Sequence, residues 1–85
     1  MRDYGIQVSE RIWNEAIAID EGLEVDDPRF QHCVMLQMED GSQIYLTHSF
    51  LMSWNEYWLF IFRAKYPCMI FYKNDINSYQ ELEMV

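Results

Sequence analysis

Between Phe30 and Phe50 the chain alternates apolar and polar residues with a period of two, and no other stretch constrains the fold as strongly. Phe30, His32, Val34, Leu36 and Met38 fall on one side of an extended chain, opposite Gln31, Cys33, Met35, Gln37 and Glu39. The alternation resumes after Asp40-Gly41 with Ile44, Leu46, His48 and Phe50. This is the pattern of a half-buried β-hairpin. Its loop length follows from its faces. A two-residue Asp40-Gly41 loop sets Leu36 opposite Tyr45 and Met38 opposite Gln43, which joins the wrong sides. A three-residue loop of Glu39, Asp40 and Gly41 gives glycine the left-handed bulge position. It pairs Leu36 with Ile44, Val34 with Leu46, His32 with His48 and Phe30 with Phe50.

Upstream, the spacing predicts a helix from about Glu10 to Glu21. Ser9 suits the N-cap, Glu10 sits near the positive end of the helix, and Gly22 suits a left-handed C-terminal position. Ile12, Ala16, Ile19 and Leu23 share one stripe, which Trp13 and Ile17 widen. Residues 23–29 are polar, end in Asp-Asp-Pro and read as a loop. Downstream, Ser53-Trp54-Asn55-Glu56 has the form of a capping box, and Trp54, Trp58, Ile61 and Lys65 recur at helical spacing. Tyr57 to Phe62 is dense in strand-favouring side chains. Arg63 and Lys65 near the C-terminal end, with Pro67 beyond them, favour a helix over 54–65. Cys68 to Tyr72 reads as a short buried strand. A last helix is predicted from Asn74 or Asp75 to about Glu83, with Ile76, Tyr79 and Leu82 on one side, and Tyr4 to Val8 suits an N-terminal strand.

These elements fit a single α+β domain over residues 1–85: an antiparallel sheet built on a central β-hairpin, with two or three helices packed on one face. Apolar residues make up 51% of the chain and aromatics 16%, which excludes intrinsic disorder. The longest apolar run, Tyr57 to Phe62, is far too short to span a membrane as a helix. The residues after Met1 lack the apolar core of a signal peptide, so the expectation is a cytoplasmic chain with Cys33 and Cys68 as reduced thiols.

The chemistry-bearing residues form no recognisable catalytic set. There is no GxGxxG, P-loop, GxSxG or HExxH. The expected register places His32 opposite His48, and with Cys68 on a neighbouring strand a zinc site is conceivable. Polar residues on a sheet face more often bond to each other or lie at its margin, so no metal and no cofactor is expected. The carboxylate pairs Glu10 with Glu15 and Asp26 with Asp27 have no apolar pocket to tune them, so the chain is not expected to be an enzyme.

Charge is more informative. The formal net charge is −8, and residues 1–28 carry −6 of it. Asp20, Glu21, Glu24, Asp26 and Asp27 follow one another without a basic residue among them, and Gly22 falls too early for a calcium loop. Asp20 and Glu21 sit at the negative end of the first helix, where each is unfavourable by about 0.3–1 kcal/mol. A local rule broken without local compensation points to use by a partner. The aromatic surplus points the same way, with Trp54, Tyr57 and Trp58 as candidate anchors. An acidic surface repels phosphate backbones, so direct nucleic-acid binding is disfavoured, and no membrane contact is expected.

The combined expectation is a non-enzymatic acidic protein-binding module that occludes a basic surface of a nucleic-acid-acting protein. Immunity proteins, antitoxins and phage-encoded inhibitors share its size and charge. Carboxylates spaced like phosphates would make it a nucleic-acid mimic. The alternative is a structural or accessory subunit that homodimerises, or joins a larger assembly, through exposed aromatics.

Overall fold

The computed structural model describes residues 8–84. Its first element is the expected helix, α1 (Glu10–Glu21). The Ser9 side chain accepts a hydrogen bond from the Ile12 amide, and the Gly22 amide closes the last turn onto the Ile19 and Asp20 carbonyls. Gly22 has φ −86°, so it ends the helix in right-handed geometry and not in the left-handed position expected of it. A 3-10 turn at Pro28–Gln31 follows, opened by Asp27, whose carboxylate accepts from the Arg29 amide. The expected strand at Tyr4 to Val8 lies almost wholly outside the described residues.

Strands β1 (His32–Met38) and β2 (Gln43–Thr47) pair antiparallel, with Leu36 opposite Ile44 and Val34 opposite Leu46 as the face argument requires. Gly41 takes φ +91° in the three-residue turn, and Asp40 Oδ1 receives the Ser42 amide and hydroxyl. The pairing stops at Cys33–Thr47. His48 has φ +51° and swings the chain out of the hairpin, so His32 does not meet His48 across a ladder. Phe30 and Phe50 do come together, as rings 5.6 Å apart, but from a turn and from another sheet.

Beyond that bend the chain forms three more strands in an up-and-down order: β3 (Ser49–Ser53), β4 (Trp58–Arg63) and β5 (Tyr66–Tyr72). The helix expected over 54–65 is therefore a turn and a strand. The physical reason lies in the burial of β4. Phe60 and Phe62 point to α1 with Phe50 and Cys68, whereas Leu59 and Ile61 point the other way with Val34 and Leu36. A strand covered on both faces has no polar alternation and reads as an unbroken apolar run. The capping-box residues make the β3–β4 turn, where Asn55 Oδ1 accepts from the Tyr57 and Trp58 amides.

The last expected helix is strand β6 (Ile76–Glu83), entered through a 3-10 turn at Lys73–Asp75. It pairs antiparallel with β1, from His32–Glu83 to Met38–Ile76, with an irregularity at Gln37/Met38. Pairing with a strand some forty residues earlier in the chain overrides its local helical spacing.

The described residues thus form two antiparallel three-stranded sheets, β2-β1-β6 and β3-β4-β5, with one α-helix. The β1–β2 hairpin belongs to the outer sheet, and the middle layer is β3-β4-β5. α1 covers one face of the middle sheet through Ile12, Ala16, Ile19 and Leu23. The other face packs on the outer sheet through Leu59, Ile61, Leu51 and Met69. Full burial of each large side chain in these two cores stabilises by about 1.5–3 kcal/mol.

Candidate functional site

The helix that covers the middle sheet uses only part of its circumference. Residues three and four apart lie above one another on a helix, so Glu10, Trp13, Ile17 and the Asp20–Glu21 pair form one stripe. That stripe flanks the buried one. Trp13 is 41% exposed and Ile17 42%, so the two side chains expected to widen the core contact remain outside it. Glu10 and Glu21 are exposed and Asp20 is half-buried. The acidic loop follows directly in the chain, and there Val25 stands 84% exposed between the exposed Glu24 and Asp26. Arg11 projects from the other flank of α1, and the last turn contains no basic side chain.

The electrostatics within the acidic segment are uneven. Asp20 is raised above its ordinary 3.8 by partial burial and by the neighbouring Glu21 charge. It lies close enough to Cys68 to help burial push that thiol upward. Asp27 is different. Arg29 holds it with paired bonds of 2.9 and 3.0 Å and keeps its carboxyl at about 2. The same guanidinium stacks 4.4 Å over the Phe50 ring. Asp27 is therefore neutralised locally, while Asp20, Glu21, Glu24 and Asp26 make no ion pair among the described residues.

The aromatic trio named from the sequence lies elsewhere. Trp54 stacks on Phe60 at 5.3 Å yet stays 36% exposed, and Trp58 packs on Tyr72 at 5.4 Å and against the core beneath α1. Tyr57 is exposed in the β3–β4 turn, where its carbonyl receives the Lys73 amide. Lys73 Nζ meets Ser53 Oγ beside this turn. Trp58 faces Tyr72 across the ladder, whereas Asp20 adjoins Cys68, four residues earlier on β5. Asp20 and Glu21 thus share a helix flank with Trp13 and Ile17, whereas Trp54, Tyr57 and Trp58 belong to the middle sheet and its β3–β4 turn.

A polar cluster missed in the sequence joins the two sheets. Glu81 Oε1 accepts the Leu51 amide of β3 at 2.9 Å, and Glu81 Oε2 accepts from His32 Nδ1 at 2.6 Å. Glu81 is visible as a partner only once β6 lies beside β1, since helical spacing alone puts it on a solvated face. His48 instead donates from Nδ1 to the Phe30 carbonyl at 3.3 Å. The two histidines and Cys68 hence serve three different environments, and no group of three potential metal ligands converges among the described residues. The His32–Glu81 pair is a carboxylate-oriented imidazole, but its second oxygen is committed to backbone and no serine, threonine or cysteine bonds to the imidazole. Among the described residues the pair links β1 and β6 to β3.

The cysteines sit in different layers, both as free thiols. Cys33 lies on the outward face of the outer sheet, where a hydrogen bond with it raises the Tyr45 hydroxyl above its ordinary value. On that face a groove of about 200 Å³ is lined by Met35, Gln37, Gln43, Ser78 and Gln80 with Leu36 and Tyr79, and the Tyr79 phenol is its one titratable side chain. No helix of the described residues is long and apolar enough to cross a membrane. Comparison with protein-family models, with curated proteins and with solved structures finds no match.

Proposed function

We propose that this chain is a non-enzymatic acidic binding module that docks through the α1 flank and the following loop onto a basic protein surface. The observation that carries the reading is that Trp13 and Ile17, both exposed, share one flank of α1 with Glu10, Asp20 and Glu21, and that the loop following directly in the chain exposes Glu24, Val25 and Asp26. Interfaces of this type divide the work between the two kinds of side chain. Carboxylates steer a cationic partner and set its orientation, while a central Trp and its apolar neighbours supply most of the affinity once water is excluded. A basic surface that ordinarily holds nucleic acid is the complement this charge fits best, so occlusion of a nucleic-acid-acting protein is the specific form proposed. Such a role suits a cytoplasmic chain that keeps both cysteines as thiols.

Two features support placing the partner here and not at the β3–β4 turn. Asp20 and Glu21 lower the stability of the helix they end, a sacrifice that a cationic partner would reverse. At the turn, by contrast, Trp54 and Trp58 stack on neighbouring rings and Lys73 bonds Ser53, which leaves Tyr57 as its one freely exposed ring beside a positive charge.

The test is capture of proteins from the source organism's lysate on the immobilised chain, at low and high salt. A basic protein is expected to be retained at low salt and released as salt rises. Trp13→Ala with Ile17→Ser should abolish retention, Asp20→Asn with Glu21→Gln should weaken it, and Tyr57→Ala should leave it intact. Retention indifferent to salt and to all four helix changes would overturn the proposal.

A further inference from the structure

The two sheets have four edges, and three carry a device that discourages another strand. In the β3–β4 ladder the Trp54 amide bonds the Trp58 carbonyl, so alternation turns the Leu51 amide outward. Glu81 plugs it. On β5, Pro67 has no amide hydrogen to offer. On β6 the Met84 amide bonds the Gln31 carbonyl, which turns the backbone groups of Glu81 and Glu83 outward, and the exposed Glu83 carboxylate puts a charge at that edge. β2 has none of these protections. Its sequence, Gln43-Ile44-Tyr45-Leu46-Thr47, contains no charge, proline or bulge. The Met38 amide bonds the Ser42 carbonyl, so alternation turns the backbone groups of Gln43, Tyr45 and Thr47 away from β1. Among the described residues no strand pairs with that side, and Tyr45 is 59% exposed.

The geometry points to a second copy of this chain as the occupant, with β2 pairing antiparallel to its symmetry mate across a two-fold axis at Tyr45. In that register Gln43 faces Thr47 of the other copy, Ile44 faces Leu46, and Tyr45 faces itself. Apolar meets apolar on the inner side and polar meets polar on the outer. All outward backbone groups of the three residues are used, and the surface is self-complementary as an isologous contact requires. Charge selects the same arrangement. Two copies each carrying −8 can approach closely only where neither presents acid. The ladder positions on the outward face of the outer sheet, including Met35 and Gln37 on β1 and Ser78 and Gln80 on β6, hold no acidic or basic side chain. Antiparallel pairing also sends the two acidic Glu39–Gly41 turns to opposite ends, each beside His48 of the other copy. The outcome is a continuous six-stranded sheet. Only one strand edge is buried, so the dimer belongs among the small, readily dissociating interfaces.

This inference is independent of the helix-flank proposal, and salt distinguishes them. Salt screens the repulsion between two acidic copies and strengthens the dimer, whereas it weakens docking to a basic partner. Sedimentation velocity from low micromolar to near-millimolar protein should show reversible dimer formation that increases with salt. Amide exchange should show protection at Gln43, Tyr45 and Thr47 that rises with concentration, while Ile44 and Leu46 stay protected throughout by β1. Thr47→Pro removes an outward amide without touching the β1 ladder, and Tyr45→Lys places two like charges on the axis. Each should sediment as a monomer with unchanged far-ultraviolet dichroism. A wild-type chain that stays monomeric across the range, or a dimer that survives Tyr45→Lys, overturns the inference. Protection of the three amides that is independent of concentration also overturns it, because a segment of the same chain would then occupy the edge. That exchange measurement stands even where a variant fails to fold.

Discussion

Removing the Glu81 carboxylate is the sharpest test of how the two sheets are joined. In Glu81→Ala the Leu51 amide loses its acceptor at 2.9 Å and His32 loses its partner at 2.6 Å. A partly buried amide left without a partner costs about 1–3 kcal/mol. The His32–Glu81 pair is about a quarter exposed on each side, so solvent screening limits its share to about 0.5–1 kcal/mol. The sum is about 1.5–4 kcal/mol. For a domain of this size each 1 kcal/mol moves the melting midpoint by about 4–8 °C, so Glu81→Ala should melt about 6–32 °C lower. Glu81→Gln keeps an oxygen for the Leu51 amide and should lose less than half of that. Thermal melts followed by tryptophan fluorescence, with urea unfolding at constant slope, measure the difference. Hydrogen exchange localises it, because the Leu51 amide should become labile in the alanine variant and stay protected in the glutamine one. An alanine variant that melts within about 2 °C of wild type, a small part of the 4–8 °C per kcal/mol expected for this size, with an unchanged Leu51 amide, would refute this link.

Other predictions separate core from surface. Phe60→Ala empties a fully buried site between sheet and helix and should cost about 3–5 kcal/mol, whereas Trp13→Ala should change stability by less than about 0.5 kcal/mol. Asp20→Asn should stabilise the free chain at neutral pH by a few tenths of a kcal/mol, since its raised carboxyl makes ionisation unfavourable in the fold. With the folded value above the ordinary 3.8, wild-type stability falls as pH rises through that interval, so the variant's advantage should vanish below 3.8. Asp27 has the opposite sign. Its folded value of about 2 means that the Arg29 pair contributes above 3.8 and is lost as pH falls through about 2, which carboxyl chemical shifts would follow directly.

Legibility in the sequence tracked the range of the interactions involved. α1 and the β1–β2 turn are specified within a few residues, by Ser9, by the 3-4 spacing of Ile12, Ala16 and Ile19, and by Gly41 at φ +91°, and all were readable. β4 was not, because burial of Phe60 and Leu59 on opposite faces depends on a helix and a sheet contributed by other parts of the chain. β6 was not, because its partner is β1, and Ile76, Tyr79 and Leu82 happen to fall at helical spacing. The carboxylate segment was legible as composition. Its apolar neighbours were misassigned for one reason: a three-stranded sheet is too narrow to cover the whole apolar side of α1. Trp13 and Ile17 therefore stay outside, while Trp58, which looked surplus, packs on the core and Trp54 lies half-covered on Phe60.

Where a bound partner touches this chain is the most direct question. A photoreactive side chain placed at Ile17, or in a separate preparation at Tyr57, would report it from cross-links formed in the source organism's lysate. The helix-flank account predicts that position 17 captures a basic protein at low salt, that high salt abolishes the cross-link, and that position 57 captures none. A partner captured at position 57 and not at 17, or one captured at 17 equally well at high salt, would contradict it.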